Sequence, residues 1–439
     1  MKKTIEFCPN PSCPTNTERD RKSNLGPWTV LYKCEKAGFS THYFTAPKKL
    51  CERWSKRVIS PVPGCKRVKV DTNEVYCPMC YTPIHLDRDA IRVAVVGPRN
   101  CGKTVYLSVL NELLGKRDHM GRLLFLREKK TESFSFRTEH VGNDIRYILP
   151  RPTQAGADGG AQTAANIPYM DYHVTMGTSS KSFSEWKREA GNGRAKSSKK
   201  SGTLNGKDVE MYFYDVAGEW FMPKEKRDQA IKDIENERNR KVAHLFNADL
   251  ILFMIDSRQI VSDDAGDISN LLERGELTFE DYRKAIQETI EELHTKNHKQ
   301  YHIAFCFLAV DIFQHTQSAY KEIVGNYDFR MKNNRSFDAC VFDETRYHEC
   351  ADRTWSIFGK FSDIFNHLAQ QKGDRNSPML DPARMGIFAI SALGPNAKIS
   401  NGDGYSAEKY IDSFDPTNSW GVVDPILWYL SKREIISKK

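Results

Sequence analysis

The chain has 439 residues, a formal net charge of +8, 39% hydrophobic residues and a mean hydropathy of −0.59. That length is enough for two or three domains with cores of their own, and no stretch approaches the ~20 apolar residues of a membrane-spanning helix. The charge is mild for the size and does not by itself demand a nucleic-acid partner.

The opening MKKTIEFCPNP has two lysines with no apolar run behind them. No secretion signal is therefore expected, and a cytoplasmic protein is. Seven of the eleven cysteines lie before residue 81, and over residues 1–90, 16 Lys and Arg face 9 Asp and Glu, a difference of +7. In a reducing compartment such clustering points to metal rather than to disulfides. Two short knuckles stand out: FCPNPSC with Cys8 and Cys13, and YCPMCYTP with Cys77 and Cys80. Paired knuckles of this kind give a tetrahedral four-thiolate zinc site. Cys34, Cys51, Cys65, His42 and His85 lie in or near the gap; they are either a second site or buried small side chains. Residues 1–90 are expected to form a zinc-ribbon-like domain.

From residue 91 onward the pattern alternates strands and helices, which predicts an α/β domain with a mostly parallel sheet over 91–439. Residues 91–96 read as a buried strand. Val105, Leu107, Leu110, Leu113 and Leu114 recur at helical spacing, with Gly115 as a stop. Residues 128–168 read as long and irregular. YMDYHVTM (169–176) and DVEMYFYDVAG (208–218) read as a strand pair. The Gly-, Ser- and Lys-rich insertion between them, about 177–207, is expected to be solvated. Residues 224–246 suggest a charged helix. DLILFMID (249–256) and YHIAFCFLAVD (301–311) are expected strands around a helix at about 278–296. A second insertion occupies 314–384, MGIFAISALG (385–394) is the last strand, and GVVDPILWYLSKREI closes as a helix. No internal repeat is evident.

Between the first strand and its helix lies GPRNCGKT, which matches G-x-x-x-x-G-K-[ST] in the context that motif requires. Backbone N–H groups of Gly97, Arg99, Asn100, Cys101, Gly102 and Val105 are candidates to converge on a triphosphate at the helix N-terminus. Lys103 would reach the β- and γ-phosphates, and the Thr104 hydroxyl would ligate Mg²⁺. In YFYDVAGEW, Asp215 ends a strand where it can serve the Mg²⁺ shell, and the Gly218 amide can meet a γ-phosphate.

The succession GPRNCGKT, DVAGE, LAVD and ISALG resembles the small-GTPase-like, TRAFAC-class branch of P-loop proteins, each motif falling at a strand end. Zinc knuckles, the GKT-Val-Tyr-Leu helix and DPILWYL together are also similar to bacterial double-GTPase families of conflict and defence systems, in which a second GTPase is the partner. The resemblance implies that Asp311, Ser391 and Ala392 face the base and that Glu219 stands where many members orient the attacking water. It also implies a switch threonine; Thr153 in LPRPTQ is preferred, ahead of Thr163. Two departures matter. The base-reading motif, usually Asn-Lys-x-Asp or Thr-Lys-x-Asp, is here Leu308-Ala309-Val310-Asp311, and Glu219 replaces the usual Gln.

The function expected is therefore a GTP- and Mg²⁺-dependent molecular switch. It would hydrolyse GTP slowly, carry structural Zn²⁺ and act through a protein effector or second GTPase. The alternatives are a P-loop ATPase, favoured by the missing lysine, and a zinc-ribbon protein whose basic front end and 181–200 lysine cluster bind nucleic acid.

Overall fold

The computed structural model describes residues 89–98, 101–114, 169–176, 209–216, 218–221, 244–257, 278–296, 300–311, 341–357, 359–371, 378–394, 397–401 and 418–438. Shorter described segments are 8–10, 13, 31–34, 42–45, 57–59, 69–71, 74–77, 82–85, 123–127, 134, 136–141, 144–148, 223, 409–412 and 414–415. The expected helix at 224–246 lies outside them but for its end, where Leu245–Asn247 is a single 3-10 turn.

Short strands come first: Leu31–Cys34 (β1), His42–Thr45 (β2), Arg57–Ile59 (β3), Lys69–Asp71 (β4), Glu74–Tyr76 (β5) and Pro83–His85 (β6). They form a sheet in the order β2-β1-β5-β6 and a separate β3-β4 pair. Then follow Asp89–Val96 (β7), Leu123–Arg127 (β8), Arg137–Val141 (β9), Asp144–Ile148 (β10), Tyr169–Met176 (β11), Val209–Asp215 (β12), Leu250–Asp256 (β13), His302–Leu308 (β14), Val341–Phe342 (β15), Met385–Ile390 (β16), Lys398–Asn401 (β17), Lys409–Asp412 (β18) and Ser437–Lys438 (β19). The helices are Lys103–Leu114 (α1), Phe279–Lys296 (α2), Glu344–Ile357 (α3), Ser362–Gln370 (α4) and Asp424–Lys432 (α5).

The principal sheet has seven strands in the order β16-β14-β13-β7-β12-β11-β8. β12, β7, β13, β14 and β16 are mutually parallel, while β11 runs antiparallel to both β12 and β8. The central strands are apolar almost throughout because both faces are covered. Alternate residues separate cleanly. Val93, Val95, Met211, Phe213, Leu252 and Met254 meet α1 and α5 on one face. Ala94, Val96, Ile251, Phe253, Phe305 and Phe307 meet α2 and α4 on the other. The one buried charge of β7, Arg92, is held bidentately by Asp249, with Nε to Oδ2 at 2.9 Å and a terminal guanidinium nitrogen to Oδ1 at 3.1 Å. Helix α2 starts on a reciprocal cap: Asp281 Oδ2 accepts from the Thr278 amide at 2.8 Å, and Thr278 Oγ1 accepts from the Asp281 amide at 3.3 Å.

Several features depart from the expected elements: β17, β18 and β19 are additional strands, and the closing helix spans Asp424–Lys432 rather than beginning at Gly421. Strand β8 was not anticipated. The nominally irregular 128–168 contains β9 and β10, an antiparallel pair with Val141 opposite Asp144, joined to β18 and β17 in a second sheet. The signal is present in SFRTEHVGNDIRYIL: alternating runs either side of Gly-Asn, a two-residue hairpin spacer.

Candidate functional site

The carboxyl ends of parallel strands are where ligands collect in open α/β sheets, and most of the candidate residues converge there. The chain leaves β7 at Gly97 and enters α1 at Lys103. Gly97 has φ +149°, and a Cβ on it would lie 2.5 Å from the Met254 carbonyl oxygen of the neighbouring strand; Gly102 has φ +93°. Both positions favour glycine, so the pattern of the motif follows from the tight exit over β13. Lys103 is 6% exposed, and its Nζ donates to the carbonyls of Gly97 at 2.8 Å and Pro98 at 2.9 Å. Cys101 is buried beside it, with Sγ 3.9 Å from Nζ. Burial pushes the Cys101 thiol pKa up; the Lys103 charge pulls it down, and Asp256 and Asp215 add to the rise. Val105 is half-buried against the α1 side of the core.

Asp215, the last residue of β12, lies opposite Val95 of β7. It accepts a hydrogen bond from Thr104 Oγ1 at 3.2 Å, joining residues 111 apart in sequence. Octahedral Mg²⁺ with bonds of about 2.1 Å places neighbouring oxygens about 3 Å apart. A hydroxyl and a carboxylate at this spacing fit such an ion. Gly218 is buried in the 3-10 turn Gly218–Phe221 that follows. The Glu219 side chain lies outside what the structure describes, as do Arg99, Asn100 and Thr153 altogether.

On the other side of β13, β14 ends in an abrupt bend. Ala309 takes a left-handed φ of +58°, a conformation costly for a residue with a Cβ and concentrated at functional turns. The bend buries Val310 and brings Asp311, half-buried, onto the rim. Leu308, just before it, reaches toward Gly102: its Cδ1 lies 3.4 Å from where a Gly102 Cβ would stand. At the end of β16, Ser391 is buried and Ala392 partly so. The Ser391 amide is already committed, donating to the Trp420 carbonyl at 2.9 Å, so this residue has only its hydroxyl left to offer a ligand. That hydroxyl is buried without a hydrogen-bond partner among the described residues.

The sequence reading missed Asp256, buried at the end of β13 between the two halves of the rim. Its signal was the single charge closing the apolar run LILFMI.

Three cysteines form a separate cluster. Cys8, Cys13 and Cys77 are buried, and their sulfurs lie within 4.8 Å of one another. Cys13 and Cys77 are 3.6 Å apart, too far for a disulfide. Thiolates bound to one zinc at about 2.3 Å are about 3.8 Å apart, so the three residues fit that ion. The backbone forms each knuckle: the Cys13 amide donates to Asn10 O and the Cys77 amide to Thr82 O, both at 3.0 Å. Cys80 lies outside the described residues. The cluster is tied to the principal sheet by Tyr214, whose hydroxyl donates to the Pro9 carbonyl at 2.9 Å.

No family model matches the chain, and no curated protein matches it. Among solved structures it is similar to the S. cerevisiae Ski7 GTPase-like domain, a structure bound to GTP, at 11% identity and a TM-score of 0.27, over 73% of this chain and 46% of that one. Among the described residues, no helix is long and apolar enough to cross a membrane.

Proposed function

We propose that the chain is a GTP-binding, slowly hydrolysing molecular switch. It is built from a nucleotide domain over 91–439 and a zinc-bearing module over 1–90. The observation that carries this reading is the 3.2 Å contact between Thr104 and Asp215. It joins the loop motif to the DVAGE motif at the place where both would meet Mg²⁺. Bound Mg²⁺ supplies charge neutralisation between the β- and γ-phosphates. The chain's own residues do the rest. Lys103 turns its ammonium from the loop carbonyls to phosphate oxygens, Thr104 and Asp215 hold the ion, and the Gly218 amide senses the γ-phosphate. The Gly218–Phe221 turn then differs between triphosphate and diphosphate, and a protein effector or second GTPase, in the setting of bacterial defence, reads that difference. Glu219 follows the sensing glycine; its carboxylate can orient water but adds negative charge near the γ-phosphate, which favours slow turnover. Cys8, Cys13, Cys77 and Cys80 hold Zn²⁺ in a docking module.

Base choice falls to Asp311. Guanine presents N1–H and a 2-amino group side by side, and a carboxylate accepts from both; adenine offers a lone pair at N1. The Asp311→Asn variant tests this. An amide NH₂ opposes guanine's 2-amino donor but complements the C2 carbonyl of xanthine. The variant should lose GTP and gain xanthosine triphosphate. Retained GTP affinity would favour the second reading, an ATP-binding P-loop enzyme. That reading draws on Ala309 standing where a base-packing lysine is usual.

A further inference from the structure

Two observations meet at residues 419–423, a segment between β18 and α5 to which the motifs assign nothing. First, it pairs with the loop after β16: the Trp420 amide donates to Ser391 O at 2.7 Å, and the Ser391 amide returns a bond to Trp420 O at 2.9 Å. Second, it is tied to the helix behind the phosphate loop. The hydroxyl of Tyr106, on the first turn of α1 and fully buried, donates to the Val422 carbonyl at 2.9 Å, across 316 residues of sequence. Between the two contacts stands Gly421, with φ +69°, where a Cβ would lie 2.4 Å from the Ala389 carbonyl. The segment lies so close to β16 that it admits no side chain at that point.

We infer that residues 419–423 are a strap that sets the base-side loop at a fixed distance from the phosphate loop, and that Tyr106 is the positioning residue that anchors it. This rests on the nucleotide reading above and assigns within it the element governing base affinity. Neither Tyr106 nor Trp420 needs to touch the ligand. Tyr106 lies two residues beyond Thr104 and is turned into the core, so α1 carries the phosphate site at its N-terminus and the strap at its side. Ser391 and Ala392 are then held by a clamp rather than by their own strand end. Loosening the clamp frees the base-side loop and leaves Gly97, Lys103 and Thr104 where they are.

The split this predicts separates the two halves of the ligand. Tyr106→Phe removes one buried hydroxyl and leaves the ring. Calorimetry with Mg²⁺ and inorganic tripolyphosphate, which engages the phosphate and Mg²⁺ groups but nothing on the base side, should give the same affinity in variant and parent. With Mg·GTP the variant should bind roughly two- to tenfold more weakly, the range for one lost neutral hydrogen bond, and its preference for GTP over ATP should shrink by the same factor. Gly421→Ala pushes the strap off β16 without touching α1 and should give the same pattern. Unchanged tripolyphosphate affinity also shows that each variant is folded. Equal weakening for both ligands, or no change in either, overturns the strap. A parent protein that binds neither ligand overturns the nucleotide reading and the strap with it.

Discussion

Replacing Lys103 with Met removes a charge while keeping most of the side chain's length, so it probes the ammonium rather than the packing of α1. The ammonium donates to Gly97 O at 2.8 Å and Pro98 O at 2.9 Å, and a triphosphate must compete with those two carbonyls. Hydrogen bonds to charged partners contribute about 1.5–3 kcal/mol each, and two to phosphate oxygens about 3–6. Giving up two carbonyl partners offsets about 1–3 kcal/mol of this at the usual value for a neutral acceptor. The net loss expected in Lys103→Met is about 2–3 kcal/mol, roughly thirty- to a hundred-and-fiftyfold in Kd. Calorimetric titration with Mg·GTP measures it directly, with far-ultraviolet circular dichroism as the check on folding. Equal affinity in variant and parent would mean that the loop is not a phosphate site, whatever its sequence.

Elemental analysis should find one zinc per chain; a strong chelator that removes it should lower the thermal midpoint, because structural zinc contributes folding free energy. Protein purified without zinc, at an unchanged midpoint, contradicts the Cys8, Cys13 and Cys77 assignment. His244 gives a pH signature. It is fully buried, its ring nitrogens have no hydrogen-bond partner among the described residues, and burial pushes its pKa down to about 3. The folded pKa lies below the unfolded one, so the contribution of the neutral ring is complete above about pH 6.5 and is lost as pH falls toward 3; by pH 5 the loss is about 2 kcal/mol. His244→Phe should flatten that acid limb in urea melts, and an unchanged slope refutes the assignment.

Most of the principal sheet was legible because its strands are short, apolar and closed by marked residues. Tyr169–Met176 and Leu250–Asp256 fall within a residue of the expected segments. Thr104 and Asp215 each sit at a motif position that chemistry restricts, and the fold sets them 3.2 Å apart. The β9–β10 pair is hard to see in the sequence because its strands are short and largely polar, so period two stands out weakly there. The strap was illegible for a different reason. Tyr106 reads as one more core aromatic of α1, and its bond to Val422 spans 316 residues, a separation no local pattern encodes. For Ser391 the sequence marks the position in ISALG, and the structure adds that its amide is taken by Trp420 and its hydroxyl is not.

On the proposed reading, Asp311 and the Gly97–Thr104 loop together select a guanine nucleotide. Side-by-side calorimetric titration of the parent protein with Mg·GTP and Mg·ATP tests it most directly. Two charge-assisted hydrogen bonds from guanine to Asp311, at about 1.5–3 kcal/mol each, predict that GTP binds more tightly by on the order of a hundredfold or more. Equal affinity for the two nucleotides, or tighter binding of ATP, would rule out guanine selection by Asp311.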